Sequence, residues 1–110
     1  MKKLTHKIEF GFGIQLDKDM QPISPEAAVG MLELLGAWAN RQFGGYTLTP
    51  TFGSWVNDKG VTFTEHGHTL MVYTDEKGTY GSIAMAVQIK EILRQEAVGV
   101  CITEVNARII

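Results

Sequence analysis

The side chains best suited to chemistry lie in one stretch, residues 46–73, where Trp55 is followed by Glu65, His66 and His68. A carboxylate on a strand face with apolar neighbours is costly unless it is paired, lies at a sheet end, or serves a pocket. A tryptophan outside the core packs against another subunit or offers its ring to a flat or cationic ligand. Glu65 and Trp55 are therefore candidate site residues, with a solvated strand end and subunit packing as the alternatives.

Glu104, near the end of the chain, raises the same question as Glu65. It shares the alternation of Val98, Val100 and Ile102, which predicts that it lies on an otherwise apolar strand face. The alternatives are again a solvated strand end and a functional acid.

The histidines and the cysteine do not predict a metal site. His66 and His68 are spaced to share one strand face, but two histidines fall short of a ligand set and no acidic residue shares that local face. Cys101 is the only cysteine, which excludes an intramolecular disulfide and a cysteine zinc site. We expect no metal and no cofactor.

Other motifs favour structure over chemistry. The segment 11–13, Gly-Phe-Gly, lies within a predicted strand and lacks the third glycine of a nucleotide-binding loop. The segment 78–82 could hold an anion with its main-chain N–H groups, but it lacks the lysine of a P-loop, and a turn with a helix cap is the simpler interpretation. Ser54 and Ser82 have no nucleophile-and-base pattern around them, so serine hydrolase chemistry is not expected.

Length and charge narrow the class of protein. The chain has 110 residues, a formal charge of -2 and a pI near 5.9, which predicts one domain over residues 1–110 and no nucleic-acid surface. The longest apolar stretch, residues 27–39, is too short to span a membrane. The basic start lacks the apolar region of a signal peptide. We expect a soluble cytoplasmic protein with no membrane partner.

Two strands joined by a turn carry Trp55 and Glu65. The turn is Asn57-Asp58-Lys59-Gly60, in which Gly60 can supply a positive φ. Pro50 cannot donate a ladder hydrogen bond, so the first strand is expected at a sheet edge or beside a bulge. After the turn the alternation of apolar residues changes phase, which predicts a bulge near Gly67.

The remaining elements complete a regular order. Strict alternation predicts a strand over residues 7–16, with Gly11 and Gly13 leaving one face bare. Ser24-Pro25-Glu26 predicts the start of a helix that ends at Gly44-Gly45. A second helix is expected from about Tyr80, a strand from about Val98, and a tail at the segment NARII.

The predicted order is strand, helix, strand, strand, helix, strand. This order is typical of the ferredoxin-like βαββαβ sandwich, an α+β fold with two helices on one face of a four-stranded antiparallel sheet. The other face has no helix to cover it. We therefore expect other subunits to cover it.

The sequence TPTFGSW at residues 49–55, the turn, and Glu65 on the next strand resemble small GlnB-like (PII-like) trimeric proteins. Within that group, the pattern G-x-W, turn, Glu is similar to the phage-encoded S-adenosylmethionine lyases. It is nearly as similar to a family of uncharacterised bacterial proteins with such a strand pair. The resemblance covers the order of elements along nearly the whole chain, while the motif itself is short.

The lyase resemblance implies a homotrimer with active sites between subunits. If the protein is encoded by a phage, the resemblance implies that it acts in the cytoplasm of the bacterial host. The carboxylate of S-adenosylmethionine attacks its own γ carbon and expels methylthioadenosine, leaving homoserine lactone. By position Glu65 matches the strand glutamate of the family, and we predict that it is the catalytic residue. Trp55 stands where an aromatic residue, often tyrosine, is expected, with Gly53 and Ser54 beside it at the substrate, and Glu104 would hold ribose hydroxyls. The alternatives are a non-catalytic PII-like module for a nucleotide or adenosyl ligand, and a structural oligomer.

Overall fold

The computed structural model describes residues 2–110 and contains one antiparallel sheet with two helices. The elements in chain order are β1 (Lys2–Gly13), α1 (Pro25–Phe43), β2 (Thr47–Val56), β3 (Thr62–Thr74), a short 3₁₀ turn (Lys77–Thr79), α2 (Ser82–Ile92) and β4 (Gly99–Ile109). The strand order across the sheet is β2-β3-β1-β4. The predicted ferredoxin-like arrangement is confirmed, and β2, which contains Pro50, is an edge strand as expected.

Helix α1 begins and ends where its capping residues predict. The Ser24 hydroxyl accepts a hydrogen bond from the Ala27 N–H at 3.1 Å, and Pro25 occupies the first helical position. At the other end Gly44 adopts φ 80° and donates its N–H to the Asn40 carbonyl. A left-handed residue of this kind costs least for glycine, so the helix stops there. Neither helix among residues 2–110 is long and apolar enough to cross a membrane.

The core lies between the helices and one face of the sheet, which we call the helix-side face. Cross-strand pairing aligns Leu48, Leu70 and Phe10 in one row, and Val100 extends that row onto β4. Alternate residues of a strand share a face, so the row continues with Ile8, Phe12 and Val72. The helices contribute the other buried members: Leu35 and Ala39 from α1, and Met85 and Ile89 from α2 with Leu93 just beyond it.

Two strand boundaries differ from the prediction. β1 spans Lys2–Gly13 rather than 7–16, and the segment NARII is the end of β4 rather than a tail. Leu4 pairs with Ala107 across the sheet, so each end is held by main-chain hydrogen bonds to the other. The apolar residues Val105, Ala107 and Ile109 alternate, but in the opposite phase to the start of β4. The register with β1 shifts between Leu4 and His6, and this irregularity hid the continuation of the strand.

The predicted bulge near Gly67 is wrong. The register of β3 with both neighbours runs unbroken through Gly67, which pairs with Gly13 on one side and Thr51 on the other. The alternation of apolar residues changes phase because the core covers only part of the helix-side face of β3. Leu70 is buried on that face, whereas His66, on the same face, is exposed. Gly67 has a steric role, since a Cβ there would overlap the Phe12 carbonyl oxygen.

Candidate functional site

The face opposite the helices, the open face, contains a cavity of about 480 Å³. Its floor is made of glycines and its walls of Trp55, Glu65 and residues 97–99; the floor glycines are Gly11, Gly13, Gly53 and Gly67. Because glycine adds no side chain to the face, four of them in neighbouring strands leave a depression in the sheet. The volume falls in the range of small-molecule sites. The bare glycine face expected from the sequence is part of this cavity.

Glu65 lies at one wall and is only 7% exposed. Its Oε2 accepts hydrogen bonds from the main-chain N–H groups of Gln15 at 3.1 Å and Leu16 at 2.9 Å. Hydrogen bonds to a charged acceptor are stronger than neutral ones, and they offset much of the cost of burying the carboxylate. Among the lining residues Glu65 is the one with an ionisable side chain. Its negative charge therefore sets the electrostatic character of the cavity.

Trp55 forms the aromatic part of the wall. It pairs with Phe63 across the β2–β3 hairpin, and the two rings stack with centroids 4.8 Å apart and planes 9° apart. Phe63 is buried, while Trp55 is half-buried. The stack holds the indole in place and leaves part of it open to a ligand, an arrangement suited to a flat or cationic group.

The other two residues of the motif contribute differently. Gly53 pairs directly with Glu65, but a Cβ added at Gly53 would have no atom within 4 Å, because the carboxylate lies on the β1 side, against Gly13. Ser54 also borders the cavity, but its hydroxyl accepts a hydrogen bond from Thr64 at 3.1 Å. Ser54 and Thr64 face away from the cavity by strand alternation, so only the main chain of Ser54 can reach a ligand there.

Glu104 is not brought to this cavity within one chain. It is exposed, pairs with His6, and shares the helix-side face with Val100 and Ile102. The Glu65 carboxylate lies beside Gln15, nine positions along from His6, which is about 30 Å in an extended chain. Glu104 can therefore meet Glu65 only across a subunit interface, and its ribose-binding role stays a prediction.

The two histidines share the helix-side face, as their spacing predicts. The exposed His66 ring lies 4.9 Å from the Phe52 ring, and His68 stacks on Phe12 at 6.5 Å. His68 Nδ1 is buried without a hydrogen-bond partner, and burial lowers the pKa of His68 below its ordinary value. Residues 2–110 contain no cluster of three or more potential metal ligands.

Several parts of the site could not be read from residue types. The N–H groups that hold Glu65 belong to the main chain of Gln15 and Leu16, so no side chain marks them. The wall at residues 97–99 comes from the loop before β4 and the first residue of that strand. That loop is tied to the hairpin turn by a hydrogen bond of 2.8 Å from the Asn57 amide to Glu96. The sequence pointed to this place through Trp55, Glu65 and the bare glycine face of β1, but not through these main-chain and loop contributions.

Comparison with known proteins rests on structure. The sequence matches no protein-family model and no curated protein. The chain is similar to a phage SAM lyase in complex with S-methyl-5'-thioadenosine, with a TM-score of 0.70, 18% identity and coverage of 91% of this chain and 81% of that one. An apo phage SAM lyase structure gives a TM-score of 0.67 at 19% identity, covering 92% and 81%.

A second kind of protein shares the architecture. The periplasmic divalent cation tolerance protein CutA from Archaeoglobus fulgidus superposes with a TM-score of 0.58 at 10% identity, covering 94% of this chain and 87% of that one. These likenesses span nearly the whole length on both sides. The chain therefore has the ferredoxin-like fold that the phage lyase and CutA structures share.

Proposed function

We propose that this chain is an S-adenosylmethionine lyase, which converts S-adenosylmethionine into methylthioadenosine and homoserine lactone. The observation that carries the proposal is the open-face cavity, where the half-buried Trp55 ring and the buried Glu65 carboxylate lie on adjacent strands. The support from relatives is the shared fold, one of whose members holds S-methyl-5'-thioadenosine.

The reaction needs little chemistry from the protein. An oxygen of the substrate carboxylate forms a bond to the γ carbon, the bond from that carbon to sulfur breaks, and its electron pair passes to the sulfur. The sulfonium becomes a neutral thioether, and no proton or water enters the step. The protein's task is to hold the carboxylate and the γ carbon in line, which alone can supply a large rate effect.

The surroundings of the cavity fit a reaction that consumes charge. The substrate carries a positive sulfur and a negative carboxylate, and both charges diminish in the transition state. Apolar surroundings therefore penalise the bound substrate more than the transition state. Glycine backbone, the Trp55 ring and the apolar residues Ala97 and Val98 form most of the lining. Such a lining favours the transition state over the charged substrate.

Glu65 serves mainly to orient the ligand. A fixed negative charge beside the sulfonium stabilises the substrate, whose positive charge is then lost, so attraction alone improves binding rather than turnover. A carboxylate that also accepts hydrogen bonds from ribose hydroxyls fixes the substrate at two points. The same negative charge repels the phosphate groups of nucleotides, which favours a sulfonium or thioether ligand over the nucleotide of a PII-like module.

One observation favours a second candidate, an adenosyl-binding module without turnover. Glu65 has a structural role independent of any reaction, since its Oε2 accepts hydrogen bonds from the N–H groups of Gln15 and Leu16. That role explains a buried glutamate at this position even where no reaction follows.

We also propose that the working form is a homotrimer. The open face carries Trp55, Gly11 and Gly13 with no helix over them, and the resemblance implies sites between subunits. Light scattering at micromolar concentration should give three times the mass of the 12.2 kDa chain. A monomeric mass would contradict this assembly.

The deciding experiment is to incubate the protein with S-adenosylmethionine and separate the products by chromatography. The lyase should form methylthioadenosine and homoserine lactone in equal amounts. In ¹⁸O-labelled water the first lactone should contain no label, because both of its oxygens come from the substrate. Calorimetric binding of S-methyl-5'-thioadenosine without any turnover would support the second candidate, and neither binding nor turnover would refute both.

A further inference from the structure

The Glu65 carboxylate occupies the place where strand β1 leaves its neighbour. The main-chain bonds between β1 and β3 end at Ile14, whose N–H donates to the His66 carbonyl at 3.2 Å. Beyond that point the N–H groups of Gln15 and Leu16 turn to Glu65 Oε2. The Gln15 side-chain oxygen accepts in return from the His66 N–H at 2.7 Å. We call these contacts the Glu65 clamp.

Gly13 lies directly beneath this carboxylate. A Cβ added to Gly13 would overlap Glu65 Oε1 and the carboxyl carbon, and it would lie 2.8 Å from Oε2. The overlap includes the carboxyl carbon and Oε2, so the Glu65 side chain would have to shift away from the two N–H groups that hold Oε2. Gly11, two residues earlier on the same face, has no atom within 4 Å of an added Cβ. Of the two glycines on this face of β1, only Gly13 is therefore required by contact with Glu65.

We propose that Gly13 is a positioning residue for Glu65, an inference that rests on the function proposed above. The bare Cα at position 13 lets the carboxylate in the cavity wall lie against the glycine floor, with Oε2 held in the Glu65 clamp and Oε1 next to the ligand space. A methyl group there displaces the carboxylate by roughly an ångström. Misplacement of that size at an active site can reduce turnover on the order of 10²-fold.

The first test does not depend on catalysis. Amide hydrogen exchange should show the N–H groups of Gln15 and Leu16 protected in the wild type and released in both Gly13→Ala and Glu65→Ala. Gly11→Ala adds the same methyl to the same face and should leave that protection unchanged. Unchanged protection in Gly13→Ala would overturn the proposal.

The second test asks whether Gly13 acts through Glu65. In the wild-type background Gly13→Ala should lower kcat/KM about 10- to 100-fold, whereas in the Glu65→Ala background the same change should have no further effect. Equal losses in both backgrounds would mean that Gly13 acts by another route. If Gly13→Ala fails to fold, the double variant Gly13→Ala/Glu65→Ala must fold, because the overlap is gone. Failure of both to fold would overturn the proposal.

The two hypotheses can fail separately. A wild-type protein that forms no methylthioadenosine refutes the lyase function and leaves the exchange experiment intact. In that case the same pair of backgrounds is compared by calorimetric affinity for S-methyl-5'-thioadenosine. Loss of affinity in Gly13→Ala that disappears in the Glu65→Ala background supports the positioning role, and additive losses refute it.

Discussion

Replacing Glu65 by glutamine removes the charge of the cavity while keeping its shape. The Oε2 atom accepts two N–H bonds, and a glutamine carbonyl oxygen can accept both, so the variant should fold and assemble. A sulfonium about 4 Å from the carboxylate would lose roughly 4 kcal/mol of attraction at an effective dielectric constant of about 20, a loss that falls mainly on binding of the charged substrate. Loss of one such preorganised group typically costs on the order of 10²- to 10³-fold. We expect Glu65→Gln to lose kcat/KM by 10²-fold or more.

The way the loss divides between kcat and KM tests the reasoning. If Glu65 only attracts the sulfonium, KM should rise and kcat should not fall; if it orients the ligand, kcat should fall. We expect kcat to carry most of the loss, measured as initial rates of methylthioadenosine formation by chromatography. Glu33→Gln, an exposed change on α1, is the charge-matched control and should remain active. Near-normal turnover by Glu65→Gln would refute its role, and loss of the oligomer would make Glu65 structural.

Three further outcomes follow from the same geometry. Trp55→Ala should weaken binding of S-methyl-5'-thioadenosine by about 1–3 kcal/mol, measured by calorimetry, while Trp55→Phe keeps most of the ring stack and most of the affinity. Burial lowers the pKa of His68 in the folded state below its ordinary value of 6.5, so the unfolded chain binds more protons at acidic pH. The urea midpoint of unfolding should therefore fall as the pH drops through 6.5. His68→Gln should make the midpoint less dependent on pH in this range, and His66→Gln should not. Chelators should change neither stability nor activity, and stoichiometric zinc after purification would contradict this expectation.

Local sequence was sufficient for features that depend on neighbouring residues. Ser24 and Pro25 marked the start of α1, and Gly44 marked its end, because caps act through hydrogen bonds within a few residues. The turn ending at Gly60 could also be predicted from the sequence, since a positive φ restricts the choice of residue. The order of the elements then left few folds to consider, and Pro50 placed β2 at an edge.

Features that depend on distant parts of the chain required the tertiary structure. The prediction of a bulge near Gly67 was wrong. The pattern of apolar residues changes there because the core stops covering the helix-side face of β3, and the alternation within one strand cannot show where that cover stops. The resemblance assigned Glu104 to the same site as Glu65, yet within one chain the two lie on opposite faces of the sheet, separated along β1 by about 30 Å of extended chain. Glu65 itself could be singled out as a carboxylate on an apolar strand face. Its position is set by main-chain N–H groups about 50 residues away along the chain, and by the absence of a side chain at Gly13. Main-chain donors have no residue identity, so only the folded chain shows where they meet a carboxylate.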